Sequence, residues 1–395
     1  MSPTSCIPVV VAGLTATLLA FLVSGRSPPV AGADRFLAID GLRGYLALSV
    51  FLHHSCVWYF YLRTGKWELP PSRLYVQLGQ SSVALFFMIT GFLFYSKLLQ
   101  ARNREFDWQR LYIARVLRLT PLYLFAITLM LLIVLLASAG ELHASPARVA
   151  FQVFRWLTFT MLGGPDINGL NIAQVVVAKV VWTLPYEWVF YLALPLLALT
   201  VGIRPSWRYM LLVLMAIVIA GVRHFEPIIL FIFAGGILAA VLARHKGFCD
   251  FAASGVAAIL AIASLGAAVG LFSSGYGLAQ VALLTVFFCI IAAGNGLFGV
   301  LTRPAARTLG EMAYSIYMLH GLVLYTTFIL ILGASRSREL SPLTHWVIVI
   351  GITAVLLLVS HATFRLIEYP FMRRTRDVEG WLKSRLPMRL SRAAS

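Results

Sequence analysis

In the stretch DGLRGYLALSVFLHH, Asp40 to His54, an arginine and a pair of histidines stand at the two ends of an apolar run. Arg43 and His54 are eleven residues apart. On a helix that is three turns plus about 20°, so both side chains would lie on one face, separated by roughly 16 Å along the axis. His53 would point about 100° away, toward lipid headgroups or a neighbouring helix. A guanidinium grips phosphate through two parallel hydrogen bonds, and a neutral imidazole can serve as a general base. The plainer alternative has Arg43 snorkelling to one membrane surface while His54 anchors the other.

Three further segments carry polar chemistry. In REFDWQRLYIARVLRLTP, Arg115 and Arg118 are three apart and share a helix face, with Arg110 about a turn and a half before. Such a pair suits phosphate groups, or else it is only the basic flank of a span. In WTLPYEWVFYLALP, Glu187, Tyr191 and Pro195 follow at steps of four. A glutamate within the hydrocarbon must be protonated or paired, a histidine from another helix being a natural partner, unless it only fixes helix packing. In GEMAYSIYMLHG, Tyr314, Tyr317 and His320 fall within one run, where His320 also reads as a satisfied core histidine. Near the end, His361, Arg365 and Glu368 share a face, an arrangement that predicts an internal ion pair and a helix stop.

These groups need a scaffold, and the composition says which. Of 395 residues, 60% are hydrophobic and 12% charged, with a mean hydropathy of +0.86. A water-soluble domain lies far from these values, so the chain is predicted to be a polytopic integral membrane protein. Spans must be helices or strands closed into a barrel, and the long continuous apolar runs choose helices. Eleven such runs fall at 6–24, 40–60, 76–98, 119–138, 175–201, 208–224, 226–243, 251–272, 279–297, 309–333 and 345–366. The first has no basic residue ahead of it and reads as an uncleaved extra helix rather than a signal peptide. Cys6, Cys56, Cys249 and Cys289 are scattered, suggesting neither a disulfide framework nor a thiolate metal site.

Basic residues set the expected orientation. Arg26, Arg35, the 97–118 loop, Arg204, Arg208, Arg244, Lys246, Arg303, Arg307 and the tail 373–392 collect 21 of the 32 Lys and Arg on one side. That arrangement requires 150–172 to stay on the opposite face as a short interfacial or re-entrant piece. The expected architecture is all-α: a ten-helix bundle with its C-terminus in the cytoplasm, plus the extra N-terminal helix. The net charge of +17 is then largely topology and inner-face attraction to anionic lipid, not nucleic-acid binding.

DGLRG with its following histidine, GQSSVALFFMITGF, RVLRLTP, WTLPYEWVFYLALP, GEMAYSIYMLH and IEYP occur in this order, and together they resemble the membrane-bound acyltransferase-3 family. The resemblance spans about 36–372, between an N-terminal helix and linker at 1–35 and a basic cytoplasmic tail at 373–395. It implies transfer of an acyl group, most often acetyl, from acyl-coenzyme A to a hydroxyl of a cell-surface or exported carbohydrate, across a bacterial inner membrane. By the same resemblance His54 is catalytic and Arg43, Arg115 and Arg118 hold the coenzyme, with no metal. The chain is similar to members without an appended extracytoplasmic domain, which leaves open whether a partner protein completes the transfer. In such an enzyme the arginines would hold the anionic head while the thioester reaches up the helix face to His54, which deprotonates the attacking hydroxyl. Glu187 is then the candidate to orient His54; Asp40, Tyr191, Tyr314, Tyr317 and His320 are further site candidates.

Intramembrane Arg, His and Glu also serve secondary transporters and flippases of anionic or lipid-linked substrates. Against that reading stand the lack of a detectable repeat and an arginine pair expected outside the spans. A membrane scaffold accounts poorly for so many interior ionisable groups.

Overall fold

The computed structural model describes residues 2–24, 36–102 and 104–385. Arg26, Arg35, Arg389 and Arg392 of the expected basic face lie outside these residues. The described chain is helical, with no strand. Its long helices are α1 (Ile7–Ser24), α2 (Leu37–Thr64), α3 (Arg73–Gln100) and α4 (Trp108–Ala137). After α5 (Pro146–Leu157) and α6 (Ala173–Val176) come α7 (Thr183–Leu199), α8 (Trp207–Val222), α9 (Pro227–Leu242), α10 (Lys246–Ala252), α11 (Gly255–Leu271) and α12 (Leu278–Ala292). The chain ends with α13 (Pro304–Glu311), α14 (Ala313–Tyr325), α15 (Ala334–Glu339), α16 (Pro342–Thr363), α17 (Tyr369–Arg373) and α18 (Thr375–Arg385).

Local chemistry starts and stops these helices. Asp107 accepts from the Arg110 amide at 2.9 Å and Ser341 from the Thr344 amide at 3.1 Å, each satisfying one of the donors a helix start leaves open. Proline opens α5, α9, α13 and α16, where its missing N–H is no loss. Gly65 closes α2 at φ 69°, a left-handed conformation that glycine adopts without penalty.

Each of the eleven apolar runs overlaps helix, two of them broken into several pieces. Six helices among the described residues are both long and apolar enough to cross a membrane, or seven if the bent pair α9–α10 is one span. α8, α11 and α12 are apolar but shorter. The 28-residue α2 is long enough, but Asp40, Arg43 and the His53–His54 pair lower its hydropathy. Large apolar side chains point outward, Leu136 and Leu366 being 76% exposed. Such surface is unfavourable in water and natural in lipid. Membership in the multi-pass membrane class follows.

Four segments depart from the sequence reading. The expected 97–118 loop shrinks to 101–107, because Asp107 caps a helix that already includes Arg115 and Arg118. The arginine pair therefore sits within the long helix α4 rather than in a loop. The run at 175–201 becomes a regular helix only from Thr183. Before it, Ala178 and Lys179 take φ 49° and 54°, breaking the chain between α6 and a 3₁₀ turn at Val180–Trp182. The run at 309–333 is divided at Met312 and ends in a π-helical turn at Thr326–Ile331. Finally, no helix stop occurs at IEYP: a second π-helical turn, Phe364–Glu368, carries the helical path on into α17 and α18.

The 138–182 connection enters the bundle. Asn168 bridges it, accepting from the His143 amide at 2.8 Å and donating to the Glu141 carbonyl at 2.7 Å. Val177, Ala178 and Val180 are then buried, and Gly321 of α14 packs so closely on Ala178 that a Cβ there would lie 2.6 Å from the Ala178 nitrogen. Helices meet closely at small residues elsewhere too, as expected where lipid offers no hydrophobic drive. Gly41 and Gly44 of α2 abut Leu301 and Leu309, and Ala12, Ala16 and Ala20 of α1 are buried in a bundle where α1 lies against α13 and α16.

Candidate active site

Because α2 runs unbroken from Leu37 to Thr64, the eleven-residue separation of Arg43 and His54 is kept as a helical one. Arg43 opens into a cavity of about 260 Å³ whose wall also includes Arg115 and Arg118 of α4. The two glycines flanking Leu42 and Arg43 face α13 and the turn before it, which leaves Arg43 directed away from that seam. Arg115 and Arg118, three residues apart, share a face as the spacing requires. The Arg115 guanidinium lies 5.0 Å from the Phe94 ring centroid, and Arg118 donates to the Met372 sulfur at 2.9 Å. Arg115 also shares a hydrogen bond with Tyr191, but a guanidinium carries five N–H donors, so capacity remains for an anion.

Glu187 belongs to this cavity and not to His54. Its carboxylate accepts from the Tyr191 hydroxyl at 3.3 Å and the Thr90 hydroxyl at 3.4 Å. Its electrostatic neighbours are Arg115 and Arg43. The expected role of Glu187 in orienting His54 is therefore overturned: the four-residue step to Tyr191 turns the carboxylate toward the arginines. Two hydroxyl donors compensate a buried carboxylate that would otherwise be costly. Tyr191 is fixed in turn, since Tyr112 donates to its backbone carbonyl at 3.2 Å.

Tyr314 and Tyr317 line the same cavity. Tyr314 donates to the Leu119 carbonyl at 3.0 Å, joining α14 to α4. Tyr317 donates to the Val180 carbonyl at 3.0 Å and pairs with Thr183 at 2.9 Å, which ties α14 to the strained entry of α7. On the other side of Tyr317 its ring stands 6.2 Å from that of His320. His320 is fully buried, and its Nε2 lies 3.2 Å from Nδ1 of His54. The structure thus brings Arg43, Arg115, Arg118, Glu187, Tyr191, Tyr314 and Tyr317 around one cavity, while His54 and His320 pair outside its lining with His320 beside Tyr317. Asp40 lies a turn before Arg43 and does not line the cavity.

His53 finds the neighbouring helix rather than lipid: its Nδ1 is 2.8 Å from the Tyr75 carbonyl. Glu368 is buried and accepts from Ser315, with Arg118 and Arg43 as electrostatic neighbours. The ion pair expected with Arg365 gives way to this inward turn, produced by the π-helical step. Sequence reasoning missed Thr90, whose only signal is a hydroxyl in the apolar run FFMITGF. It also missed Met372, which reaches the cavity because the last helix continues past IEYP. Trp67, stacked 6.1 Å from the His54 ring, sits in the α2–α3 connection and gave no periodic signal.

Comparison with curated proteins and with solved structures finds no match. Among protein families, the acyltransferase domain of the acyltransferase-3 family matches residues 36–362, from just before α2 almost to the end of α16. That range holds every cavity-lining side chain named above except Met372, together with the histidine pair. The chain belongs to the acyltransferase-3 family.

Proposed function

We propose that this acyltransferase takes an acyl group, acetyl in the simplest case, from acyl-coenzyme A. The acceptor is a hydroxyl of a cell-surface or exported carbohydrate on the opposite side of a bacterial inner membrane. The observation that carries the reading is a cavity lined by three arginines and by Tyr317, whose ring lies beside the His320–His54 pair. At about 260 Å³ it falls just below the roughly 300–1,000 Å³ of pockets that enclose whole drug-sized ligands. That volume suits a slender thioester arm with the charged nucleotide held at the mouth by Arg43, Arg115 and Arg118. The arginines would then mark the cytoplasmic face, with α17 and α18 on that side.

In this reading the acceptor hydroxyl gives its proton to His54 as its oxygen attacks the thioester carbonyl. The C–S bond breaks, and the proton passes from His54 to the coenzyme thiolate, giving ester and free coenzyme A. Glu187, through Tyr191 and Thr90, balances the arginine charge instead of serving the base. The transporter alternative is the weaker reading because the family is one of acyl transfer. A separate protein that finishes delivery to the glycan remains compatible with this scheme.

The test is transfer of label from radiolabelled acetyl-coenzyme A to extracted surface glycans by the protein in lipid nanodiscs. Label in glycan ester that disappears with His54→Ala supports the reading. Solute flux without coenzyme A, or full transfer by His54→Ala, overturns it.

A further inference from the structure

The two histidines approach each other in a way that fixes their protons. Nδ1 of His320 lies 3.1 Å from the carbonyl of Ile316, one turn back on its own helix. A carbonyl only accepts, so this nitrogen carries the hydrogen. A neutral imidazole has one N–H, which leaves Nε2 of His320 as an acceptor. Its partner at 3.2 Å is Nδ1 of His54, and the same Nδ1 lies 3.0 Å from the Val50 carbonyl. Two acceptors converge on one nitrogen of His54, so that nitrogen is the donor and Nε2 is bare.

We infer that His320 is a positioning residue that holds His54 in the tautomer whose Nε2 can receive the acceptor proton. This rests on the reading of His54 as the base. The environment of the pair supports the division of labour. His320 is fully buried, packed edge-on to Phe51 at 6.4 Å and to Tyr317 at 6.2 Å, whereas His54 keeps some exposed surface among buried helix neighbours. Only His54 can therefore meet a substrate. When His54 gains its proton, Nδ1–H still faces the Val50 carbonyl and the His320 lone pair, and both stabilise the resulting cation. A carboxylate plays this part in hydrolase triads; here a second, neutral ring does so without placing a charge in the membrane interior.

The test compares His320→Met with His320→Gln in nanodiscs, using the labelled transfer assay. Methionine cannot replace the lone pair as a strong acceptor, while the glutamine Oε1 can. His320→Met is expected to lower kcat by on the order of 10²-fold or more with KM for acetyl-coenzyme A within about twofold, and His320→Gln to restore most of that loss. Equal impairment of both variants, a loss confined to KM, or a fully active His320→Met overturns the inference. A second measurement needs no variant of His320 that folds. In native protein labelled with ¹⁵N-histidine, the resonance assigned through His54→Ala should show protonated Nδ1 and bare Nε2, and the reverse pattern overturns the assignment. If His54→Ala is itself fully active, the base reading fails; if only His320→Met is fully active, that reading stands and this inference alone falls.

Discussion

Replacing Gly44 by alanine tests whether the close seam between α2 and α13 is what aims Arg43. A Cβ at Gly44 would stand 2.5 Å from the Leu309 Cβ and 2.7 Å from the Gly310 nitrogen. Neither can swing aside like the end of a flexible side chain. Opening 2.5 Å to the 3.4 Å of ordinary contact moves α2 by about 0.9 Å. Overpacking of this kind costs about 1–3 kcal/mol, so thermal unfolding should shift down measurably. The larger effect falls on the residue just before it in the chain. Arg43 is carried with the backbone, and losing one charge-assisted hydrogen bond to a phosphate is worth about 1.5–3 kcal/mol, or roughly 10- to 150-fold in affinity. Calorimetric titration of the nanodisc-held protein with acetyl-coenzyme A reads that change directly. Gly266→Ala in α11, where a Cβ meets nothing within 4 Å, is the control and should bind like the native chain. If Gly44→Ala binds within about twofold of native and unfolds at the same temperature, the seam does not position Arg43 and the reasoning is wrong.

Arg118→Lys keeps the charge but loses the planar fork, so coenzyme affinity in the same titration should fall about tenfold or more; unchanged affinity would remove Arg118 from the phosphate grip. Tyr191→Phe takes one of two hydroxyl donors from Glu187, and leaving a buried carboxylate short of a partner should destabilise the protein by about 1–3 kcal/mol in thermal unfolding. At the basic end, burial raises the Asp107 carboxyl, but the Arg110 amide, Glu379 and Lys383 outweigh it and hold Asp107 below its ordinary value of 3.8. A depressed folded value means the contribution is present above the unfolded value and lost as pH falls through the folded one. Hydrogen exchange in 375–385 should therefore stay slow across neutral and mildly acid pH and rise only below 3.8. Exposed pairs of this type add little, so Lys383→Ala should change transfer less than about twofold.

Much of this arrangement is legible in the sequence because membrane helices report themselves locally. Apolar runs gave the helices, and the eleven-residue and three-residue spacings on α2 and α4 survive because those helices are unbroken. What spacing cannot show is which helix answers which. His54 meets His320, 266 residues away, and Glu187 answers Tyr191 and Thr90 instead of a histidine. Both outcomes depend on the rotation of α7 and α14, set by the broken backbone at Ala178–Lys179 and the seat of Gly321 against it. Nothing in VVVAKVVW announces left-handed residues, since neither alanine nor lysine is a usual turn former. The continuation of the last helix was hidden for a related reason: a π-helical turn absorbs the proline-bearing IEYP without ending the helix.

Tyr317 separates the arginine cavity from the histidine pair, its hydroxyl tied to Val180 and Thr183 and its ring bordered by Phe86 at 6.0 Å. At that point one aromatic ring stands between the polar cavity and the His320 imidazole, 6.2 Å from centroid to centroid. Under the proposed reaction that ring must swing aside for a thioester to reach His54, and its ties to Val180 and Thr183 would draw it back afterwards.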